Sequence, residues 1–406
     1  VTDPPVTSSR QVLGRLAGPV YLPWIAMGFG TAMLAPTLPL YLSDADFSDS
    51  RIGLVLAAAG VGAALAALPT GGLIERIGTR AVIALWLAVL GTAIAALGLT
   101  TTLIALLAFR FVGGAAEIAI RLGGQTEITR RVPVTVRGRA MSFMGGGRRL
   151  TFFIGPIVGG VLADAIGFEA TFVVAGIVIA CGALPAIIGG RARLVPTSAS
   201  TRTASTMAGS KPSIRSALRP HRRLLAMATF GPLLIMAARE GRFLVLPRIG
   251  DELGLTPTMV GLVIAIGTGA DLLLFPVAGW LMDRFGRLFA IIPAFTLMGF
   301  GLLLLGLAGS AVAVAIAGGV IGLGNGLSAG TMLTYGSDLA PPEATGPFLG
   351  AFAAVQDVGK VVGPLAVGVV ADGASLGTAS IVLAALLFVA IGWMYGVVGE
   401  TKHRAA

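Results

Sequence analysis

The sequence predicts an all-α polytopic membrane protein, with twelve transmembrane helices in two pseudo-symmetric six-helix bundles. Three observations carry this. Of 406 residues, 55% are hydrophobic and only 12% charged, and the mean hydropathy is +0.91; a soluble domain carries about 25% charged residues. Apolar runs near the ~20 residues that a bilayer core demands follow one another almost end to end. The second half also repeats the first at a constant offset of 208 positions.

Taken in order, residues 1–17 open with VTDPPVTSSR, a polar, Pro-rich tail with the composition of disorder. The first apolar run, 18–42, exceeds a signal-peptide core and lacks a cleavage site, so it reads as a retained helix. Further helices are expected at 51–74, 80–99, 102–128, 138–163 and 168–189, closing an N-terminal bundle over 18–189. Residues 190–222 form a Ser/Thr-rich basic linker, whose stretch from Arg191 to Arg223 holds eight Lys/Arg and no acid. A C-terminal bundle over 223–398 follows, with helices at 223–247, 257–281, 287–308, 310–336, 345–371 and 376–398, then a tail at 399–406.

Charge sets the orientation. The net charge is +10 and the pI about 10.9, which in a soluble chain would raise nucleic acid as a partner. Here sixteen basic residues lie in the loops 75–80, 129–139, 190–223 and 282–287, against Arg51 and Arg248 on the other face. That other face carries Asp44, Asp46, Asp49, Asp164, Glu169, Asp251, Glu252 and Asp372. By the positive-inside rule the Arg-rich loops and both termini are cytoplasmic, in a cell inner (plasma) membrane, with lipid and not nucleic acid as the contact. A lone Cys181 excludes an intramolecular disulfide, and His221 and His403 fall in a loop and a tail. No metal site or cofactor is expected.

The repeat is visible in GGLIERIGTR (71–80) and AGWLMDRFGR (278–287). The offset pairs Gly71 with Gly279, Glu75 with Asp283, Arg76 with Arg284 and Gly78 with Gly286. It also pairs Gly155-Pro156 with Gly363-Pro364, Gly160 with Gly368 and Asp164 with Asp372. Two like bundles related by an axis along the membrane normal are a transporter architecture. Glycine permits the tight loop, while a Gly-Pro pair removes a helical hydrogen bond and allows close approach, so Gly155, Pro156, Gly159, Gly160, Gly363 and Pro364 mark helix bends.

These segments resemble the major facilitator superfamily. Gly71, Leu73, Glu75, Arg76 and Gly78 are similar to its GxLxDRxGR loop, with Glu at position 75 for the usual Asp and Thr79 interrupting the terminal pair. RFVGGAAE, from Arg110 to Glu117, is similar to the fourth-helix RxxxG element, and GFGTAMLAPTLPLYL resembles the first helix of twelve-helix drug exporters. GPIVGG (155–160) resembles the exporters' fifth-helix element, with Thr151 where a preceding Gly is usual. The resemblance spans 18–398. It implies a drug:proton antiporter-like secondary transporter, working as a monomer, in which Gly71, Glu75, Arg76, Gly78, Gly279, Asp283, Arg284 and Gly286 form a cytoplasmic gate.

Charges inside the spans mark function, because an arginine in hydrocarbon costs about 3 kcal/mol on insertion scales. Beyond the first two residues of each, the expected helices hold Arg110, Glu117, Arg121, Glu127, Arg148, Arg149, Arg239, Glu240, Arg242, Asp271, Asp357 and Lys360, seven positive and five negative, with none in the third, sixth, ninth or twelfth helix. The family fold makes those four lipid-facing, which implies a polar central cavity. Arg110, Glu117 and Arg121 share a helical face, and Asp357 and Lys360 can pair. Asp271 has no cation three or four residues away. It is the leading expected proton carrier, ahead of Glu117, Glu240 and Asp357, through an interaction with Arg148/Arg149 that forms and breaks. Arg110, Arg121, Arg148, Arg149, Arg239, Arg242 and Lys360 are the expected cargo-facing cations.

The expected function is proton-coupled export of amphipathic organic compounds or drugs by alternating access. The arginines keep open transport or flipping of an anionic solute or lipid-linked compound. A membrane-embedded enzyme is disfavoured, since the spans lack histidine and a paired-acid site.

Overall fold

Once in a bilayer, every backbone amide must find a partner inside its own segment, so apolar runs fold as helices. The computed structural model describes residues 14, 16–188 and 218–401. Among them are twelve helices long and apolar enough to cross a membrane, and no strand. These are α1 (Ala17–Asp44), α2 (Asp49–Ile77), α3 (Thr79–Leu97), α4 (Leu103–Arg131), α5 (Val134–Ile166) and α6 (Phe168–Ile188). The second set is α7 (Arg222–Glu252), α8 (Pro257–Phe285), α9 (Arg287–Gly306), α10 (Ala311–Leu339), α11 (Pro342–Gly373) and α12 (Leu376–Val398). Most of the expected N-terminal tail and basic linker, with Lys211, Lys402 and His403, lies outside the described residues.

Local chemistry fixes several ends. Thr256 and Ser310 accept hydrogen bonds from the amides of Met259 and Ala313, capping α8 and α10. A single glycine, Gly78, separates α2 from α3, and its counterpart Gly286 separates α8 from α9. Their φ values of +85° and +109° are strained for any residue with a Cβ. The repeat thus conserves a backbone conformation between its two copies, not merely a residue type.

The tenth helix departs from expectation. In place of an unbroken run over 310–336, α10 stops at Leu327 and restarts at Thr331. Gly330 between the two parts is left-handed, with φ +77°, which no continuing helix tolerates.

Two compact units emerge. Of the described residues, the first comprises those within 1–34, 61–155 and 169–188; the second comprises those within 35–60, 156–168 and 218–401. Inside each, small residues set the helix crossings. In the second unit Gly318, Gly322 and Gly326 of α10 form a stripe against Val263, Gly267 and Asp271 of α8. A Cβ on Gly322 would lie 1.9 Å from the Gly267 carbonyl oxygen, and one on Gly326 would lie 2.6 Å from that of Asp271. Backbones this close need glycine, since the obstruction is main chain and cannot rotate away. Gly322→Val is therefore expected to abolish recovery of monodisperse protein, the clash exceeding the ~1–3 kcal/mol of ordinary overpacking. Size-exclusion chromatography of the detergent extract checks this.

The Gly-Pro pairs sit at equivalent crossings. A Cβ on Gly155 in the first unit would meet the Ala32 Cβ at 2.6 Å and the Phe29 carbonyl at 3.1 Å. In the second unit a Cβ on Gly363 would lie 2.1 Å from the Ala237 carbonyl. Gly28 accommodates Thr151, whose hydroxyl would lie 2.6 Å from a Cβ there and which donates to the Arg148 carbonyl at 2.8 Å. The larger residue on α5 is thus matched by the absent side chain on α1.

Candidate functional site

At the Arg-rich end of the first unit, Glu127 of α4 is 2% exposed and gathers three donors. Its carboxylate accepts from the Thr79 hydroxyl, from Arg80 Nε at 3.0 Å and from Arg131 Nε at 2.8 Å. Charge-assisted bonds of this kind offset the burial of the carboxylate and pin α4 to the start of α3. The second unit has an analogue, where Asp338 of α10 accepts from Arg287 Nε at 2.8 Å and from the Thr401 hydroxyl at 3.2 Å. Glu400 accepts from the backbone amides of Arg287 and Leu288 at 2.8 and 2.9 Å, capping α9. Sequence reasoning read Glu127 only as an intramembrane charge and passed over Asp338 and Glu400.

The glycine-loop residues lie beside these anchors. Glu75 and Arg76 are exposed and form no ion pair among the described residues. Arg76 stands at a cavity of about 550 Å³ whose other walls include Leu65, Thr70, Trp86 and Phe111. A Cβ on Gly71 or Gly279 would meet open space. Asp283 reaches Arg287 at 3.6 Å, and Arg284 lies over the rings of Trp280 and Phe285 at 5.8 and 5.7 Å.

Among the charges inside the spans, Asp357 and Lys360 pair at 2.6 Å, as their spacing predicts. Glu117 is half-buried but forms no ion pair with Arg110 or Arg121, although all three share a face; both arginines hold other contacts. Arg148 is exposed, with its guanidinium 5.0 Å from the Phe152 ring centre. Arg149 is half-buried.

Asp271 is the most enclosed of these acids apart from Glu127, at 6% exposure. The glycine crossing of α8 and α10 brings it to Asn325, whose side-chain amide donates to its Oδ2 at 3.1 Å. Arg242 of α7 feels the charges of both Asp271 and Glu240 and lies over the Phe243 ring at 4.9 Å. Arg239, one turn earlier, donates to the Ser328 hydroxyl in the gap of α10 and lies 5.3 Å from the Phe295 ring centre. One short segment, Asn325 to Gly330, is thus held from one side by an acid and from another by a cation. Asn325 and Ser328 carry no charge, so an inventory of charged residues missed them.

At the acid-rich end, the second unit holds a twofold clasp. The Asp164 carboxylate at the end of α5 accepts from the Thr258 amide at the start of α8, at 3.0 Å. Its repeat mate Asp372, at the end of α11, accepts from the amides of Asp49 and Ser50 at the start of α2, at 2.9 and 3.1 Å. An anion at a helix N-terminus is stabilised by the unpaired amides and the helix dipole. Glycines make the crossings possible. A Cβ on Gly261 would lie 2.2 Å from the Pro156 carbonyl, and one on Gly53 would lie 2.3 Å from that of Pro364. Gly160 and Gly368 press on the carbonyls of Pro257 and Asp49 in the same way. Arg248 then bridges Asp49 at 2.8 Å and Asp251 at 2.5 Å, and Ser43 donates to Asp251 at 3.0 Å. These acids read from sequence only as an orientation signal. Their equivalence at the 208 offset was visible; their partners, backbone amides, have no sequence signature.

The family model for the major facilitator superfamily matches residues 25–241 and 228–406. The chain belongs to the major facilitator superfamily. It is a family of transporters, not of enzymes, and its members bind small-molecule substrates. An MFS-type transporter of Methanocaldococcus jannaschii is 22% identical over 363 residues, 89% of this chain and 93% of that one. The multidrug resistance protein MdtG of Citrobacter koseri is 28% identical over 180 residues, 42% of this chain and 44% of MdtG. The niacin transporter NiaP of Acinetobacter baylyi is 28% identical over 39% of this chain and 36% of NiaP, so both of these matches span less than half of either partner. Among solved structures, a bacterial homologue of the human lysosomal transporter Spinster, inward-facing and unoccupied, superposes with a TM-score of 0.75 at 14% identity. That superposition covers 95% of this chain and 96% of the homologue.

Proposed function

We propose that this superfamily member is a proton-coupled exporter of amphipathic organic compounds, with Asp271 as the proton carrier. The observation that carries the reading is the enclosure of Asp271 between an amide donor, Asn325, and the field of Arg242, inside a helix pair that includes the broken α10. An ionised carboxylate only accepts hydrogen bonds, whereas the protonated acid also donates. Proton uptake therefore changes both the charge facing Arg242 and the bonding at the break in α10. Glu117, Glu240 and Asp357 are the reserve carriers, and Asp357 is the weakest because Lys360 already neutralises it.

In this reading the Arg-rich face is cytoplasmic, as are both termini, and the membrane is the cell's inner membrane. The glycine loops at 71–78 and 279–286 form the cytoplasmic gate, and the Asp164/Asp372 clasp forms the outer one. The chain works as a monomer built from an N-terminal bundle, 18–189, and a C-terminal one, 223–398. Similarity to MdtG over less than half the chain and the GPIVGG element support export. A second reading, transport of an anionic solute, is favoured by Arg239 in the wall of a cavity of about 290 Å³.

Purified protein in liposomes with an imposed pH gradient tests this. Opposed fluxes of protons and an amphipathic cargo are expected. Uptake in the direction of the proton, or solute flux indifferent to the gradient, would overturn antiport.

A further inference from the structure

The gap in α10 opens onto a cavity of about 290 Å³. Arg239 of α7 forms one wall, Ser328 and Gly330 the floor of the gap, and Phe352 and Gln356 of α11 another side. Sequence dictates this shape. Left-handed Gly330 ends the first part of the helix, and the Ser328 hydroxyl donates to the Asn325 carbonyl at 2.6 Å, engaging an acceptor at the broken end.

The restarted helix, Thr331–Leu339, begins at the cavity. Its first-turn amides have no intrahelical carbonyl to meet. Thr331 donates to the Ser328 carbonyl at 3.2 Å, while Met332 and Leu333 both line the cavity at the positive end of the half-helix. A discontinuous membrane helix whose new N-terminus faces a cavity is a device for holding an anionic group.

Arg239 supplies a full positive charge to the same space. Its guanidinium is a fork of five donors, so serving Ser328 does not prevent it from gripping a planar carboxylate. The planar fork of Arg239 and the partial positive charge at the helix start suit a carboxylate. A phosphate dianion would call for a second cation, and Arg239 is the one cationic side chain among the described residues that line this cavity. Apart from Gln356 the remaining wall is apolar, with Phe352 at 3% and Met332 at 7% exposure. The volume sits at the lower end of the ~300–1,000 Å³ of ligand pockets, enough for one end of a larger molecule.

We propose that the gap in α10 is a cargo subsite for the carboxylate end of an amphipathic organic acid, with Arg239 as its anion-binding residue. The proposal rests on the transport reading and names the chemistry of the cargo.

Equilibrium dialysis of full-length protein in nanodiscs against hydrocinnamate, hydrocinnamamide and phenethyl phosphate tests it, because these probes share a ring and differ in the head group. The parent is expected to bind the carboxylate roughly tenfold more tightly than the amide, the scale of a charge-assisted pair. Arg239→Gln is expected to bring the two affinities together, Arg239→Lys to keep part of the preference, and Phe352→Ala to weaken both equally. Equal binding of acid and amide by the parent, no carboxylate binding at millimolar concentration, or a preference surviving Arg239→Gln would overturn the assignment. Tighter binding of the phosphate would overturn the choice of carboxylate. The transport reading is judged separately, by flux of a neutral amphiphile through the parent in liposomes, so either idea can fail alone.

Discussion

Asp271→Asn is expected to keep cargo binding and lose pH-driven accumulation entirely, down to the level of empty liposomes. Asparagine preserves the shape of the side chain and still offers an oxygen to the Asn325 amide, so the α8–α10 crossing keeps its hydrogen bond. What disappears is the site that can take up and release a proton. The variant is locked in the uncharged form, and the charge that Arg242 feels from α8 is removed permanently. Counterflow, which exchanges cargo without net proton movement, should persist. A purely architectural Asp271 predicts the reverse pattern. A hydrogen bond to a charged group contributes about 1.5–3 kcal/mol, so weakening the Asn325–Asp271 bond would lower the melting temperature while any surviving protein remained coupled. Measuring accumulation, counterflow and melting on the same preparation separates the two. Gradient-driven accumulation at the parental rate in Asp271→Asn would remove this residue from the proton path.

The architecture was legible because its causes are local. Hydropathy locates twelve spans, since each helix must satisfy its own backbone. The 208-residue offset locates Gly78 and Gly286, which turn out to share a positive φ that only glycine accepts cheaply. Asp357 and Lys360 pair because three residues is a fixed distance on a helix. The break in α10 was harder to see. GLGNGLSAG (322–330) contains no proline, and its apolar average reads as a continuous helix. Its density of glycine was the available signal: Gly322 and Gly326 serve the crossing with α8, and Gly330 serves the break. Asn325 and Ser328 escaped because only charges were weighed, although an amide or a hydroxyl held by a charged neighbour does as much to fix geometry. Glu117, Arg110 and Arg121 show the opposite limit. A shared helical face brings Cα positions together, but long side chains then choose among all the partners that tertiary packing supplies.

Gly261→Val is expected to prevent closure of the acid-rich end and to shift the protein toward the state in which that end is open. In the closed arrangement a Cβ at position 261 would sit 2.2 Å from the Pro156 carbonyl oxygen, whereas even a close C–H···O contact needs about 3.3 Å. Both surfaces are backbone, so α5 and α8 must separate by about an ångström before the two further methyls of valine are counted. The polar contacts cannot hold them together. Asp164 and Asp372 cap helix starts, interactions that contribute about 0.3–1 kcal/mol each at an exposed site. The Arg248–Asp49 pair is partly solvated, at 14% and 12% side-chain exposure, and contributes modestly. Under the proposed gating role, weak polar contacts over a tight glycine crossing would let the clasp reopen in every cycle, the glycines setting the closed geometry and the acids biasing its occupancy. Ala57→Cys, in a Cys181→Ser background, reports on this. Ala57 is 2% exposed and lies one turn from both Gly53 and Gly60, which touch Pro364 and Val361 of α11. A membrane-impermeant maleimide added from the acid-rich side should label it about tenfold faster in Gly261→Val, the factor that a 1.4 kcal/mol shift produces. Gly53→Val, at the equivalent crossing, should do the same. Unchanged labelling with intact folding would mean that the clasp repacks locally and is not a gate. An effect from only one of the two glycines would mean that the repeat is symmetric in structure but not in motion.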